Sequence, residues 1–419
     1  MKINAECRIC QKKPLVRVLD LGVTPLANGF LRQSDRDAEE PRYPLETYFC
    51  DECGLLQLVH IVPPETLFSD YLYVSSTSAT LKLHFAGLAE DMVERQRLRE
   101  GDLVIEVASN DGILQQEFKK RGIRAVGVEP AENLARLARA DGLEVENDFF
   151  NLQTARRLRE FYGPARAVTG SNVMGHVDAL RDFVRGLEHV IADDGLVCMQ
   201  VPHLLELVRG SEFDTIYHEH VSYFSLRAIQ RAFADAGLTL YDVRRLPVHG
   251  GTIRVYARKA SANPEPTPAL LDLLYTETVE GLNDIETYED FARTVERTKK
   301  KLVGVLSDLK LRGHRIAAYG APAKGNTLLN YCEIGGAFLD YVVDRAPLKQ
   351  GLLTPGSHLE VFPVEKLLDD MPDYLLILAW NFKDEIVEQQ SEYFRRGGRF
   401  IVPLPQFHIL EQSTVEHRD

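Results

Sequence analysis

Four of the six cysteines stand in two pairs, Cys7-Arg-Ile-Cys10 and Cys50-Asp-Glu-Cys53. Two thiolates at this spacing on a tight turn can share one tetrahedral ion, and two such turns close a four-sulfur site. Zinc suits it, being redox-inert and bound by thiolates at about 2.3 Å. Cysteine fills all four positions, so none is open for chemistry and the ion staples a small N-terminal module. No βαβ pattern follows either pair, which argues against a redox motif, and a reducing compartment argues against disulfides. Residues 11–49 must then form strands and a loop of their own. Cys198 and Cys332 lie in apolar stretches and read as buried core thiols.

A second cluster carries acid–base chemistry. The segment FDTIYHEHVSYFS places Tyr217, His218, Glu219, His220 and Tyr223 together, flanked by Phe213, Ile216, Val221 and Phe224. The apolar flanks draw the cluster toward a partly buried wall. A neutral imidazole titrates near pH 6.5 and takes a proton at cellular pH with little tuning, while a neighbouring carboxylate can orient it. Metal ligation by the H-x-H pair is weaker, because a third ligand is not in view and H-E-x-x-H is absent. His176, in SNVMGHV, and Tyr73, in DYLYVSS, are further candidates near the carboxyl ends of strands. Each has a plainer reading, His176 as a helix cap and Tyr73 as packing at a domain junction.

These groups need a scaffold, and the middle of the chain supplies one. A helical stretch over 78–98 precedes LVIEV at 103–107, and the small-residue turn Ala108-Ser-Asn-Asp-Gly112 leads directly into a helix. The strand RAVGVEP ends at Glu129, a helix covers 132–141, and strands are expected at 167–171 and 196–201. Strands alternating with helices imply a parallel α/β sheet that holds its ligand at the strands' carboxyl ends. An acid such as Glu129 at the second strand's tip can grip ribose hydroxyls.

A dinucleotide turn wants G-x-G-x-x-G so that pyrophosphate can approach bare backbone. Here the turn carries Asp111 and follows Glu106, two acids that repel pyrophosphate but suit an ammonium and a sulfonium. S-adenosylmethionine is that ligand. Its E-x-G-x-x-x-G motif is matched at Glu106 and Gly112, with Ala108 replacing the first glycine.

The C-terminal part repeats the logic. Long helices over 267–313 lead into RIAAYGAPAKGN, again strand, turn and helix, then a strand ending at Asp344 and two more in DYLLILAW and GGRFIVPLP. The turn bears Lys324 and no acid, an arrangement suited to phosphate although not a P-loop. One α/β unit would hold a cationic cofactor and the other help hold an anionic substrate.

Composition bounds the rest. A chain of 419 residues predicts about two to three domains. Lys+Arg 49 against Asp+Glu 62 leaves a net charge of −13, which argues against nucleic acid or an anionic membrane as partner. Hydrophobic content of 45% and charged content of 26% are those of a folded globular protein. Apolar runs such as 375–380 are far shorter than the roughly 18 residues of a membrane span, and MKINAECRIC lacks a signal peptide's apolar core. A soluble, cytoplasmic chain is expected, and a monomer is compatible with its charge.

Read together, the motifs resemble the zinc-containing, S-adenosylmethionine-dependent sugar C-methyltransferases of deoxysugar biosynthesis. The resemblance runs along essentially the whole chain: the paired C-x-x-C knuckles, LDLGVTPLA at 19–27, SNDG, VEP, NDFF at 147–150, YHEH, LPVHGG at 246–251, YGAPAKGN, LTPG at 353–356 and AWN at 379–381. It departs from the family's pattern at Ala108 and at His218. It implies a zinc module over 1–72, a Rossmann-like methyltransferase domain over 73–262 and a second Rossmann-like domain over 263–419 that helps bind substrate. The implied substrate is a nucleoside-diphosphate-linked 4-keto-6-deoxy sugar, methylated at a carbon beside the ketone, often carbon 3. By the same resemblance His220 is the base, Glu219 orients it, Tyr217 donates to the enolate oxygen or partners the base, and Tyr73 and His176 line the cavity. The cofactor would contact Glu106, Ala108, Asn110, Asp111, Gly112 and Asn172, with Glu129 on the ribose and Asp148 and Phe149 near adenine. Tyr319, Lys324, Asn326, Asp344, Lys349, Trp380 and Asn381 are candidates for the nucleotide-sugar side. A NAD(P)-dependent sugar oxidoreductase or epimerase, a methyltransferase of a non-sugar small molecule such as a polyketide, and a non-enzymatic zinc scaffold are the competing readings. The missing Y-x-x-x-K and the acidic turn count against the first.

Overall fold

The computed structural model describes residues 1–68 and 79–412. The chain forms two compact units, each assembled from separated stretches. One comprises Met1–Val16, Tyr48–Leu205 and Val221–Ile285; the other comprises Arg17–Thr47, Glu206–His220 and the chain from Glu286 onward. Part of the segment between the cysteine pairs and the whole YHEH segment pack within the second unit.

The first unit is built on seven strands: β1 (Leu103–Val107), β2 (Arg124–Val128), β3 (Glu144–Glu146), β4 (Ala165–Ser171), β5 (Ile191–Pro202), β6 (Leu238–Leu246) and β7 (Thr252–Lys259). Their spatial order is β3-β2-β1-β4-β5-β7-β6. Strands β1 to β5 run parallel, and β7 lies antiparallel between β5 and β6. All five residues of β1 are buried, as a central strand covered on both faces requires. Leu103, Ile105 and Val107 enter one apolar cluster, and Val104 joins Leu88, Met92 and Phe118 in another. Strand order reverses between β1 and β4, which opens a crevice at their carboxyl ends. The expected strands at 167–171 and 196–201 are present and longer; the β6–β7 hairpin is the part the α/β rhythm did not foretell.

In the zinc module, Leu56–Leu58 pairs antiparallel with Ser222–Tyr223, and Lys2–Ile3 with His60–Ile61. Strands Val16–Pro25 and Arg42–Phe49 neighbour one another, so the segment between the knuckles does form strands of its own.

The second unit contains the long helix Ile285–Leu311 and six strands: β8 (Ile316–Tyr319), β9 (Val342–Val343), β10 (Val361–Phe362), β11 (Tyr374–Ile377), β12 (Arg399–Val402) and β13 (His408–Leu410). The order is β10-β9-β8-β11-β12-β13, parallel except for the last pair. Among the described residues no helix is long and apolar enough to cross a membrane.

Candidate functional site

The two cysteine pairs fold as copies of one turn. The N–H of the residue after the second cysteine donates to the carbonyl of the first, Gln11 to Cys7 at 2.9 Å and Gly54 to Cys50 at 2.8 Å. Those two residues take φ of 62° and 75°. The first cysteine's own N–H reaches forward to Lys12 O at 3.0 Å in one turn and to Leu55 O at 2.9 Å in the other. The sulfurs of Cys7, Cys10, Cys50 and Cys53 lie within 4.8 Å of one another, with Cys7 to Cys53 at 3.4 Å and Cys10 to Cys50 at 3.5 Å. Thiolates around a tetrahedral zinc stand about 3.8 Å apart, so the set fits the ion. Contact with the Cys50 sulfur, ahead of burial, pushes the Cys7 thiol up to about 12. Cys198 and Cys332 are buried, as core thiols should be.

In the same unit the turn after β1 shows why its sequence is small and polar. Ala108, Asn110 and Gly112 all take left-handed backbone, at φ 56°, 52° and 80°. Ala108 thus occupies a conformation that glycine adopts without strain. A Cβ on Gly112 would strike the Leu143 side chain. The tip of β2 holds this turn: Glu129 accepts Asn110 N–H at 2.8 Å and Ala131 N–H at 2.9 Å. Glu106 is 3% exposed, and burial first, then Asp111 and Glu129, drive its carboxyl well above the usual carboxylate range. Burial raises Glu129 as well, against the two amides that lower it.

Three buried polar atoms at these strand ends, Glu106 Oε2, Ser109 Oγ and Asn172 Oδ1, have no hydrogen-bond partner among the described residues. Crowded acids with open acceptors are what a ligand bearing an ammonium, a sulfonium and hydroxyls would satisfy, so the residues fit S-adenosylmethionine. Asn172 follows β4 at φ 58°, and His176 sits just beyond it, edge-on to Phe68 at 5.3 Å. Asp148 is engaged by Arg157 and Thr154, with Phe149 half-buried beside it. Tyr73 lies outside the described residues.

The second unit holds the histidine cluster. The Tyr217 hydroxyl lies 2.8 Å from His220 Nε2, and His220 Nδ1 lies 2.8 Å from the Thr215 carbonyl. A carbonyl only accepts, so Nδ1 carries the proton; Nε2 is then the lone-pair nitrogen, and Tyr217 donates to it. Both rings are half-buried, with centroids 4.0 Å apart. The Thr215 backbone carbonyl thus fixes the orientation of the ring at Nδ1. The Glu219 carboxylate accepts from Asn28 Nδ2 at 2.6 Å. His218 is 1% exposed and donates from Nε2 to the Tyr43 carbonyl at 3.2 Å. A backbone carbonyl leaves no mark in a sequence, so nothing in the sequence points to Thr215; Asn28 stands just past the LDLGVTPLA motif.

The turn after β8 repeats the clamp of the first unit. Asp344 accepts Ala321 N–H at 2.7 Å and Ala346 N–H at 2.8 Å, as Glu129 accepts Asn110 and Ala131. Lys349 donates to the Ala321 carbonyl at 2.8 Å, and burial lowers its pKa. Asn326 donates to the Ala27 carbonyl at 2.7 Å, while its buried Oδ1 has no partner among the described residues. Tyr319 is buried at the end of β8, and Asn381 is half-buried in the turn Trp380–Phe382. Lys324 and Trp380, however, face acids of the histidine segment: Lys324 Nζ lies 3.9 Å from Glu212, and Trp380 Nε1 donates to Asp214 at 2.6 Å.

Three sequence families match the chain. Residues 7–68 match a zinc binding domain, 83–243 a methyltransferase domain and 247–405 a C-methyltransferase C-terminal domain. Fold, turn and cysteine cluster define a zinc-carrying methyltransferase that uses S-adenosylmethionine, which removes the oxidoreductase reading. The sequence is 37% identical, over 410 residues making up 98% of each chain, to the C-methyltransferase NovU of Streptomyces niveus. The chain belongs to that family of C-methyltransferases. Partial structural likenesses include the magnesium protoporphyrin IX methyltransferase of Synechocystis PCC 6803, at 12% identity, covering 42% of this chain and 79% of that one with a TM-score of 0.33. Another is a S-adenosylmethionine-dependent methyltransferase of Clostridium acetobutylicum, at 10% identity, 42% and 90% coverage and a TM-score of 0.34.

Proposed function

We propose that the enzyme methylates a carbon beside the ketone of a nucleoside-diphosphate-linked 4-keto-6-deoxy sugar, with carbon 3 the favoured position, in the cytoplasm. The observation that carries the reading is the hydrogen-bonded pair Tyr217–His220 with Nδ1 tied to a carbonyl. A saturated carbon becomes a nucleophile only after losing a proton, and a neighbouring ketone makes that loss feasible by spreading the charge as an enolate. When bound, S-adenosylmethionine would supply an electrophilic methyl group, the broken bond's electron pair staying on sulfur as a neutral thioether. The proton passes to His220 Nε2, either directly or through the Tyr217 hydroxyl as that hydroxyl gives its own proton to the ring. The C–H pair enters the enolate and then forms the new C–C bond.

The remaining roles are part of the same proposal. Residues 1–72, 73–262 and 263–419 divide stapling, methyl supply and help with substrate. Glu106, Ala108, Asn110, Asp111, Gly112 and Asn172 would receive the cofactor, Glu129 its ribose, and Asp148 and Phe149 the adenine side. Asp344, Lys349, Tyr319, Asn326 and Asn381 would serve the nucleotide sugar, and His176 and Tyr73 would line the site. Incubation with labelled S-adenosylmethionine and a panel of 4-keto nucleotide sugars, followed by NMR, should locate label on a ring carbon next to the ketone. Label found only on a non-sugar acceptor would overturn the substrate assignment.

A further inference from the structure

We propose that Asp214 and Trp380 form a latch that positions the Thr215 carbonyl and thereby fixes which nitrogen of His220 carries the proton. The inference rests on the reading that the Tyr217–His220 pair moves the proton. Asp214 lies in the short 3-10 turn Phe213–Thr215, adjacent in sequence to the residue whose carbonyl holds His220 Nδ1. It is 0% exposed, and its Oδ2 accepts the Trp380 indole N–H at 2.6 Å. Trp380 follows β11, while Lys324 follows the neighbouring β8 and sets its ammonium 4.9 Å from the Trp380 ring and 3.9 Å from Glu212. Two adjacent strand tips thus grip one turn through two of its acids.

The chemistry is too costly to be mere packing. Asp214 Oδ1 is buried without a partner among the described residues, and an apolar side chain would fill that space more stably than a carboxylate. What the carboxylate adds is direction: its Oδ2 is aimed at the indole N–H, and the backbone N–H groups of Asp214 and Thr215 in the same turn also favour its ionised form. Burial pushes Glu212 up to about 8 and raises Asp214 too, and Lys324 offsets both. On this reading Trp380 and Lys324 are positioning residues, not a platform for the nucleotide.

The test is Trp380→Phe, which keeps an aromatic ring, smaller than the indole, and removes the donor. With a sugar nucleotide as acceptor, kcat should fall about ten- to a hundredfold, the scale of a small misplacement, while KM stays within about twofold. The ¹⁵N spectrum of labelled histidine, with the His220 signals assigned by their loss in His220→Ala, should change from a single Nδ1–H tautomer to a mixture. Asp214→Asn preserves an acceptor for the indole and should recover most of what Asp214→Leu loses. A raised KM with unchanged kcat and unchanged ¹⁵N signals would make Trp380 a substrate contact and end the proposal, as would a Trp380→Phe enzyme unchanged in every respect. Full turnover in both His220→Ala and Tyr217→Phe would instead remove the proton-transfer reading, and the ¹⁵N spectrum would still decide the latch.

Discussion

His220 has both ring nitrogens occupied, by Thr215 O and by Tyr217 Oη, so its basicity reaches a substrate only through or after the tyrosine. His220→Ala should bind S-adenosylmethionine normally and lose about 10²–10⁴-fold in turnover, together with exchange of the ketone's α-proton into deuterated water. Tyr217→Phe decides the path. Equal loss of exchange means the tyrosine takes the substrate proton; retained exchange means histidine does. The acids of the first turn set a pH dependence of opposite character. Glu106 and Glu129 have raised pKa values in the folded protein, so the stability they contribute as neutral groups is present at low pH and lost as pH rises through those values. A cationic ligand favours their ionised forms. Its binding should therefore release protons and tighten as pH rises above the ordinary carboxylate range, which calorimetry in buffers of different ionisation enthalpy can measure. Ala108→Gly should raise the melting temperature, because relief of left-handed strain, about 1–2 kcal/mol, exceeds the added entropy of the unfolded glycine.

At the scale of elements, the zinc knuckles do more than close on themselves. Arg8, between Cys7 and Cys10, is 4% exposed; it donates to Leu58 O at 2.7 Å and to Asp178 at 3.1 Å. Asp178 lies two residues beyond His176, and Leu58 N–H donates to the carbonyl of Val221, the residue after His220, at 3.0 Å. The purified protein should carry about one equivalent of zinc. Cys7→Ser or Cys53→Ser should lower the melting temperature and soluble yield more than the specific activity of the folded fraction. A metal-free preparation with full thermal stability would contradict a structural ion. Arg8→Gln should cost about 1–3 kcal/mol in denaturant unfolding, less than a fully buried pair because the Asp178 side chain keeps 20% of its exposure.

For the whole molecule, ligand linkage is the direct check on the cofactor. At about a hundred times its dissociation constant, S-adenosylmethionine or its demethylated product should stabilise the folded chain by about 2.7 kcal/mol, and NAD(P) should not. Asp111→Asn and Glu129→Ala should each weaken that shift, the first by removing charge near the methionyl end and the second a ribose contact. Unchanged affinity in both would displace the cofactor from this turn.

Periodicity and local chemistry suffice for much of this. Each pair of zinc ligands, the β1 strand, the acid at the tip of β2 and the second α/β unit depend on residues close together in the chain, where spacing alone dictates the turn. The position of Ala108 was legible too, though its left-handed backbone was not. Tertiary structure decided everything that joins distant stretches. It seats residues 17–47 and 206–220 with the second sheet, inserts β7 antiparallel between β5 and β6, gives Glu219 to Asn28 and turns Lys324 and Trp380 toward Glu212 and Asp214. A motif specifies which groups are present. Which of them meet depends on burial: a buried acid must find its donor wherever the fold brings one, and a backbone carbonyl such as Thr215 O can hold a histidine without any side chain to announce it.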